Sequence, residues 1–237
     1  MRAAAGSQKV AVITGASQGI GAGLVAGFRD AGYAVVATSR SIRSSDESDF
    51  LTVRGDIAEP ETAQRLVVQA VDRFGRIDSL VNNAGIFIGK PFTEYTPDDY
   101  AAITAVNLTG FFHVTQRVIR QMVRQRSGHI VNITASLVDH ANSKSPSALA
   151  SLTKGGLAAV SRSLATEYAS RGVRVNAIAP GVIQTPTNDP TSYEGMAGPL
   201  GRIGEIRDIV DGILYLEQAT FVTGETLHID GGQAAGH

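Results

Sequence analysis

The stretch Thr14-Gly15-Ala16-Ser17-Gln18-Gly19-Ile20-Gly21 decides the fold because of what lies on either side of it. Before it runs the apolar, largely β-branched Val10-Ala11-Val12-Ile13, and within it a helical pattern opens that continues from about Gly19 to Ala31. A glycine-rich turn between a strand and a helix lets backbone N–H groups and the positive end of the helix meet a pyrophosphate, and Cβ atoms on the glycines would block that approach. A second apolar run, Ala34-Val35-Val36-Ala37, comes directly after the helix.

The alternation persists along the chain. Leu51-Thr52-Val53, Ser79-Leu80-Val81, His129-Ile130-Val131-Asn132-Ile133, Val173-Arg174-Val175-Asn176-Ala177-Ile178 and Thr226-Leu227-His228-Ile229 are short apolar runs, each beside a helix-length segment. Strands apolar throughout are buried on both faces, which predicts an α/β fold: a doubly wound parallel sheet flanked by helices, in one domain over residues 1–237. The longest helical patterns cover about Pro97 to Arg126 and about Ser147 to Ser170, the second with Leu157, Val160, Leu164 and Tyr168 at three- or four-residue intervals. Between Gln184 and Gly204 the chain is rich in Pro, Gly, Thr and Asn and reads as a long loop of the kind that carries function.

Composition removes several classes of function. With 237 residues, 43% of them hydrophobic, the chain can bury a full core, and 21 basic against 22 acidic side chains supply no basic stripe for a nucleic acid. The absence of cysteine excludes disulfides and thiolate chemistry, and His113, His129, His140, His228 and His237 never fall at the spacing of a helical zinc motif, so no metal is expected. No apolar run is long enough for a membrane span, and Met1 to Ser7 is too short and polar for the hydrophobic part of a signal peptide. A soluble, cytoplasmic protein without membrane contact is the expectation.

Residues 14–21 match in full the Thr-Gly-x-x-x-Gly-Ile-Gly turn of the short-chain dehydrogenase/reductase family, and the resemblance repeats down the chain. Asp56-Ile57 resembles the family's adenine-contacting pair, Asn82-Asn83-Ala84-Gly85 its Asn-Asn-Ala-Gly motif, and Pro180-Gly181-Val182-Ile183-Gln184-Thr185 its segment beside the nicotinamide. Asn107 and Lys154 stand where the family keeps a catalytic asparagine and lysine, and Asp230-Gly231-Gly232 also fits. The resemblance covers about residues 9–232 and implies a Rossmann-type fold that binds NAD(P) and transfers hydride between nicotinamide and a small carbonyl or alcohol. It implies cofactor contacts from Gly15, Ser17, Gln18, Gly19, Ile20, Gly21, Asp56, Ile57, Asn83, Ala84, Gly85, Lys154, Pro180, Gly181, Ile183 and Thr185, and a homodimer or homotetramer paired through the two long helices.

Residues beyond the turn choose between the two nicotinamides. An acidic side chain after the second strand would accept from the ribose hydroxyls of NAD, whereas a basic one would pair with the extra phosphate of NADP. Here the chain reads Ser39-Arg40-Ser41 with no carboxylate until Asp46, which favours NADP(H) over NAD(H); Arg40 is the candidate clamp, with Arg43 as a helper.

Chemistry is where the sequence departs from the resemblance. Hydride transfer to a carbonyl needs a proton as well, and the family takes it from a tyrosine four residues before the lysine, one helical turn away on the same face. In Ala150-Ser151-Leu152-Thr153-Lys154 that position holds alanine, which carries no proton. The substrate-binding serine is displaced too: in Asn132-Ile133-Thr134-Ala135-Ser136 the usual position holds Ala135, and Ser136 is the candidate substitute. Other proton sources are a water held by Lys154 and Ser151, His140 in the Leu137–Pro146 loop, and Tyr193 in the long loop. Two functions are compatible with this pattern. One is an oxidoreductase with Asn107, Ser136 and Lys154 at an atypical site; the other is an inactive NADP(H)-binding protein acting as a sensor or partner subunit.

Overall fold

The computed structural model describes residues 8–141, 146–186 and 196–235. Its core is one parallel sheet of seven strands in the order β3-β2-β1-β4-β5-β6-β7: β1 (Val10–Thr14), β2 (Ala34–Ser39), β3 (Phe50–Arg54), β4 (Ser79–Asn82), β5 (Gly128–Ile133), β6 (Val173–Pro180) and β7 (Thr226–Ile229). Every expected strand is present. The fold is the doubly wound one, and the order reverses between β1 and β4, which opens a crevice at the carboxyl ends of those strands.

Alternate residues of β1 show how both faces are filled. Val10 and Val12 pack toward α2 (Pro60–Phe74), α4 (Phe111–Gln125) and α5 (Ala148–Tyr168), through Leu66, Val118 and Ala165 among others. Ala11 and Ile13 pack toward α1 (Gly19–Asp30) and α6 (Ile206–Gln218), through Leu24, Phe28, Ile209 and Ile213. Two covering layers thus account for strand residues with no polar face. No helix among the described residues is long and apolar enough to cross a membrane.

One expected helix is broken. The pattern from Pro97 to Arg126 forms α3 (Pro97–Thr104) and α4, joined without a turn by a π-helical segment, Ala105–Gly110. A π segment inserts one extra residue per turn and so rotates the helix downstream of it, and such segments recur at functional sites. Asn107 lies inside it, fully buried.

Candidate active site

The carboxyl ends of the first strands border a groove of about 460 Å³. Its walls are Gly15 and Ser17 to Gly21 of the glycine turn, Ser39 to Ser41 after β2, Gly55 to Ile57 after β3, Asn83 to Ile86 after β4, and Val106 and Thr185. The chain thus gathers at one place all but four of the residues expected to touch cofactor, from five separate segments.

The glycines have different neighbours within the protein itself. Gly15 has φ +66°, and a Cβ there would sit 2.7 Å from Ala84 Cα; at Gly21 a Cβ would sit 2.1 Å from Gly15 O. Both are required by the protein's own packing. Only Gly19, also at positive φ, would aim a Cβ into comparatively open space, with Thr185 Cγ2 at 3.5 Å. It is also the first residue of α1, whose Gln18 N-cap makes no side-chain capping bond and whose first turn holds no acidic residue. The helix therefore presents uncapped N–H groups and its positive end to the groove, which suits an anionic pyrophosphate.

Side chains around the turn mostly hold the turn. The Thr14 hydroxyl accepts from the backbone N–H groups of Asn83 and Ala84 at 3.1 and 3.0 Å, while Asn83 Nδ2 donates to the carbonyls of Thr14 and Gly15 at 2.9 and 3.1 Å. Asn82 lies on the buried side, donating to Thr115 Oγ1 and Asn132 Oδ1 at 2.9 and 2.8 Å and so tying β4 to β5 and α4. Asp56 accepts from the Ala58 N–H at 3.0 Å, which shapes the turn at the groove's adenine end as the resemblance would place it. Ser41 Oγ donates to Ser17 Oγ at 3.3 Å across the rim. Arg40 stands exposed beside them and has no carboxylate partner among the described residues. Arg54 Nε donates to the Arg40 carbonyl at 2.8 Å and fixes that backbone.

At the other end of the groove, Lys154 Nζ donates to the Ile133 carbonyl at 2.7 Å, and a Cβ on Gly85 would lie 3.0 Å from the same nitrogen. Burial pulls the ammonium down from 10.5 to about 8, because charge is costly away from water. Asn107 is nearby, yet its carboxamide is engaged: Oδ1 accepts from Ile86 N–H at 2.9 Å, and Nδ2 donates to the Ile86 carbonyl and to Thr153 Oγ1, both at 3.1 Å. It staples the strand end after Gly85 to α5.

The remaining expected residues are dispersed. Ala150 is buried in an apolar cluster with Ile103 and Leu149, against which Ile86, Tyr95 and Leu137 pack. Thr134 Oγ1 donates to the Ile178 carbonyl at 2.8 Å and is occupied, so Ser136, buried in the short helical turn Ser136–Val138, is the hydroxyl left at the end of β5. In the segment from Pro180 to Thr185, Pro180 closes β6 and Gly181 N–H bonds the Ile229 carbonyl, while Ile183 is buried in the core and bridges to Gly204. Of that segment Thr185 reaches the groove wall, while the Ile183 side chain lies in the core. His140 is exposed; Tyr193 and residues 142–145 lie outside the described residues. Gln233, which no motif marked, donates through Nε2 to the Met196 carbonyl at 3.2 Å and accepts from Ser136 at 3.5 Å.

Residues 15–234 match the family described as enoyl-(acyl carrier protein) reductase. Glucose 1-dehydrogenase of Gluconobacter oxydans is 35% identical over 94% of this chain and 91% of its own. The chain belongs to the short-chain dehydrogenase/reductase family. Within that family, the 3-oxoacyl-(acyl-carrier-protein) reductase of Thermotoga maritima is also 35% identical, over 94% of this chain and 97% of its own. Solved structures agree with the fold: ElxO with NADP bound superposes with a TM-score of 0.88 at 29% identity, covering 97% of this chain and all of its own. A 3-ketoacyl-(acyl-carrier-protein) reductase from Brucella melitensis complexed with NADH gives 0.86, also at 29% identity, covering 95% and 98%. Two of these relatives are reductases and one is a dehydrogenase, so the family to which this chain belongs is one of oxidoreductases.

Proposed function

We propose that the protein is an NADP(H)-preferring short-chain oxidoreductase acting on a small carbonyl or alcohol, with an atypical proton route. The observation that carries the reading is the groove: an uncapped helix N-terminus, a glycine facing open space and an exposed Arg40, without a carboxylate partner among the described residues, beside Ser41 form a donor set suited to a phosphorylated dinucleotide. The solved relatives hold NADP in one case and NADH in another, which supports the nicotinamide class.

When bound, the nicotinamide supplies or accepts the hydride. The chain does the rest. The turn from Gly15 to Gly21 and the start of α1 hold the pyrophosphate, Asp56 and Ile57 border the adenine, and Arg40 with Ser41 meets the 2′-phosphate. Lys154, with Asn83 to Gly85 alongside, meets the ribose next to the nicotinamide, and Asn107 keeps Ile86 and α5 in register behind it. Pro180, Gly181 and the Ile183 backbone flank the nicotinamide face in this reading. Ser136 orients the substrate oxygen, and with Ala150 unable to donate, the proton comes from solvent in contact with Lys154 and Ser151. The family arrangement supports a homodimer or homotetramer through α4 and α5, whose outer faces border an apolar groove of about 650 Å³ that includes Phe112, Ile119, Leu164 and Tyr168.

A second reading is an inactive NADP(H)-holding partner subunit, and the apolar closure around Ala150 favours it. The discriminating measurement is NADPH-dependent turnover across a panel of carbonyls and alcohols, alongside NADPH affinity from the cofactor's own fluorescence. Turnover above a heat-killed control supports the oxidoreductase; binding without turnover supports the partner subunit; no binding sinks both.

A further inference from the structure

Gln233 lies beyond every motif, in the turn Gln233–Ala235 after β7, yet three segments of the site converge on its side chain. Its Oε1 accepts from Ser136 Oγ at 3.5 Å, and its Nε2 donates to the Met196 carbonyl at 3.2 Å. A Cβ on Gly181 would fall 2.7 Å from the same Oε1, and one on Gly198 would fall 3.0 Å from Gln233 Cγ. The carboxamide is thus wedged between the segment after β6, the segment beginning at Met196 and the turn after β5.

Its own backbone is held rigidly. Asp230 accepts from the N–H groups of Gly232 and Ala234 at 2.9 and 2.7 Å, and Gly231 and Gly232 both adopt positive φ. The Ser136 turn is tied to the same C-terminal stretch a second time, where Asp139 Oδ2 meets His228 Nε2 at 2.9 Å. Rigid backbone on one side and a short helical turn on the other leave Gln233 as the Ser136 hydroxyl's partner among the described residues to set its direction.

We propose that Gln233 is a positioning residue that orients Ser136 and couples it to the segment starting at Met196. This rests on the oxidoreductase reading for its effect on turnover, but the coupling itself is a structural property. The two ends of the carboxamide are separable: Gln233→Met removes both bonds at similar size, whereas Gln233→Glu keeps an acceptor for Ser136 and removes the donor to Met196.

The test pairs hydrogen exchange of the NADPH-loaded full chain with turnover. Gln233→Met is expected to speed exchange both at residues 136–140, where the Asp139 and His140 amides bond the Ser136 carbonyl, and at 196–201, where the Leu200 amide bonds Gly231. Gln233→Glu is expected to speed exchange only at 196–201. For turnover, Gln233→Met should lower kcat about two- to threefold, the low end of one hydrogen bond because the Ser136 contact is long, with NADPH affinity unchanged. That loss should vanish in a Ser136→Ala background and be largely restored by Gln233→Glu. Unchanged exchange at 136–140 in Gln233→Met overturns the proposal whether or not the wild type turns over. Additive losses with Ser136→Ala also overturn it. A wild type without turnover but with both exchange changes removes the oxidoreductase reading and keeps the coupling.

Discussion

Around the glycine turn, polar groups brace one another: Thr14 receives two backbone donors, Asn83 gives two bonds back, and Gly21 fits against Gly15 with no space for a methyl group. Around Lys154 the arrangement is sparser, with Ala150 and Ala135 where proton-handling and substrate-binding groups are expected and a 3.5 Å contact as Ser136's tie to Gln233. The contrast has a physical origin. A pyrophosphate is bound by backbone, so the turn tolerates little change, whereas a proton is moved by single side chains that can be exchanged while the packing stands. Binding and chemistry are therefore separable in this fold.

The largest expected effect breaks that separation from the catalytic side. Ala150→Tyr should raise NADPH-dependent turnover by about 10²- to 10⁴-fold, the range of one general acid, in initial-rate assays. An unchanged rate would mean that Ile86, Tyr95 and Leu137 have closed the space the ring needs. On the binding side, Gly21→Ala should weaken NADPH roughly 100-fold and destabilise the protein by about 1–3 kcal/mol, because its Cβ meets a backbone oxygen that cannot yield cheaply. Gly19→Ala sharpens the comparison: it clashes with nothing, costs about 1–2 kcal/mol for its positive φ, and should lose affinity without a larger loss in denaturation midpoint. Equal behaviour of the two variants would contradict the assignment of Gly19 to the ligand side.

Arg40→Ala is expected to shift selectivity from NADPH toward NADH by roughly tenfold, the value of a charge-assisted contact, read from paired affinities. The smallest effect lies at the amino end of β5, away from the groove at the strands' carboxyl ends. His129 Nδ1 bonds Glu217 at 2.7 Å, and Nε2 faces Asn176 Nδ2 at 3.0 Å. Asn176 cannot turn over, since Oδ1 accepts from Glu225 N–H and Nδ2 also donates to the Val222 carbonyl, so Nε2 must stay unprotonated. Burial lowers the His129 value, so the unfolded chain takes the proton first as pH falls; stability present above about 6.5 is lost below it. Thermal scans should show the midpoint dropping from pH 7 to 5, by about 2–4 °C for each kcal/mol, with a flatter profile in His129→Gln.

Much of this architecture is legible in the linear chain because parallel strands buried on both faces must be largely apolar, and Val10–Thr14 and Ala34–Ser39 carry that mark without help from distant residues. The turn at Gly15 to Gly21 is equally legible, since its glycines fall between one strand and one helix, although Asn83 and Ala84 from the end of β4 brace it in the folded chain. Other features depend on residues far apart in sequence. The break at Ala105–Gly110 places Asn107 against Ile86 and Thr153, a pairing that propensity does not encode. Which glycine is pressed against protein and which faces open space was decided by the approach of Ala84 and Thr185, and the tie between Ser136 and Gln233 joins residues 97 apart. The sequence by itself therefore determined strands, turn and the alanine that stands at position 150, four residues before Lys154. Only the tertiary structure decided what surrounds that alanine, which polar groups are already occupied, and which hydroxyl is left for chemistry, because hydrogen bonding and packing are settled by neighbours in space.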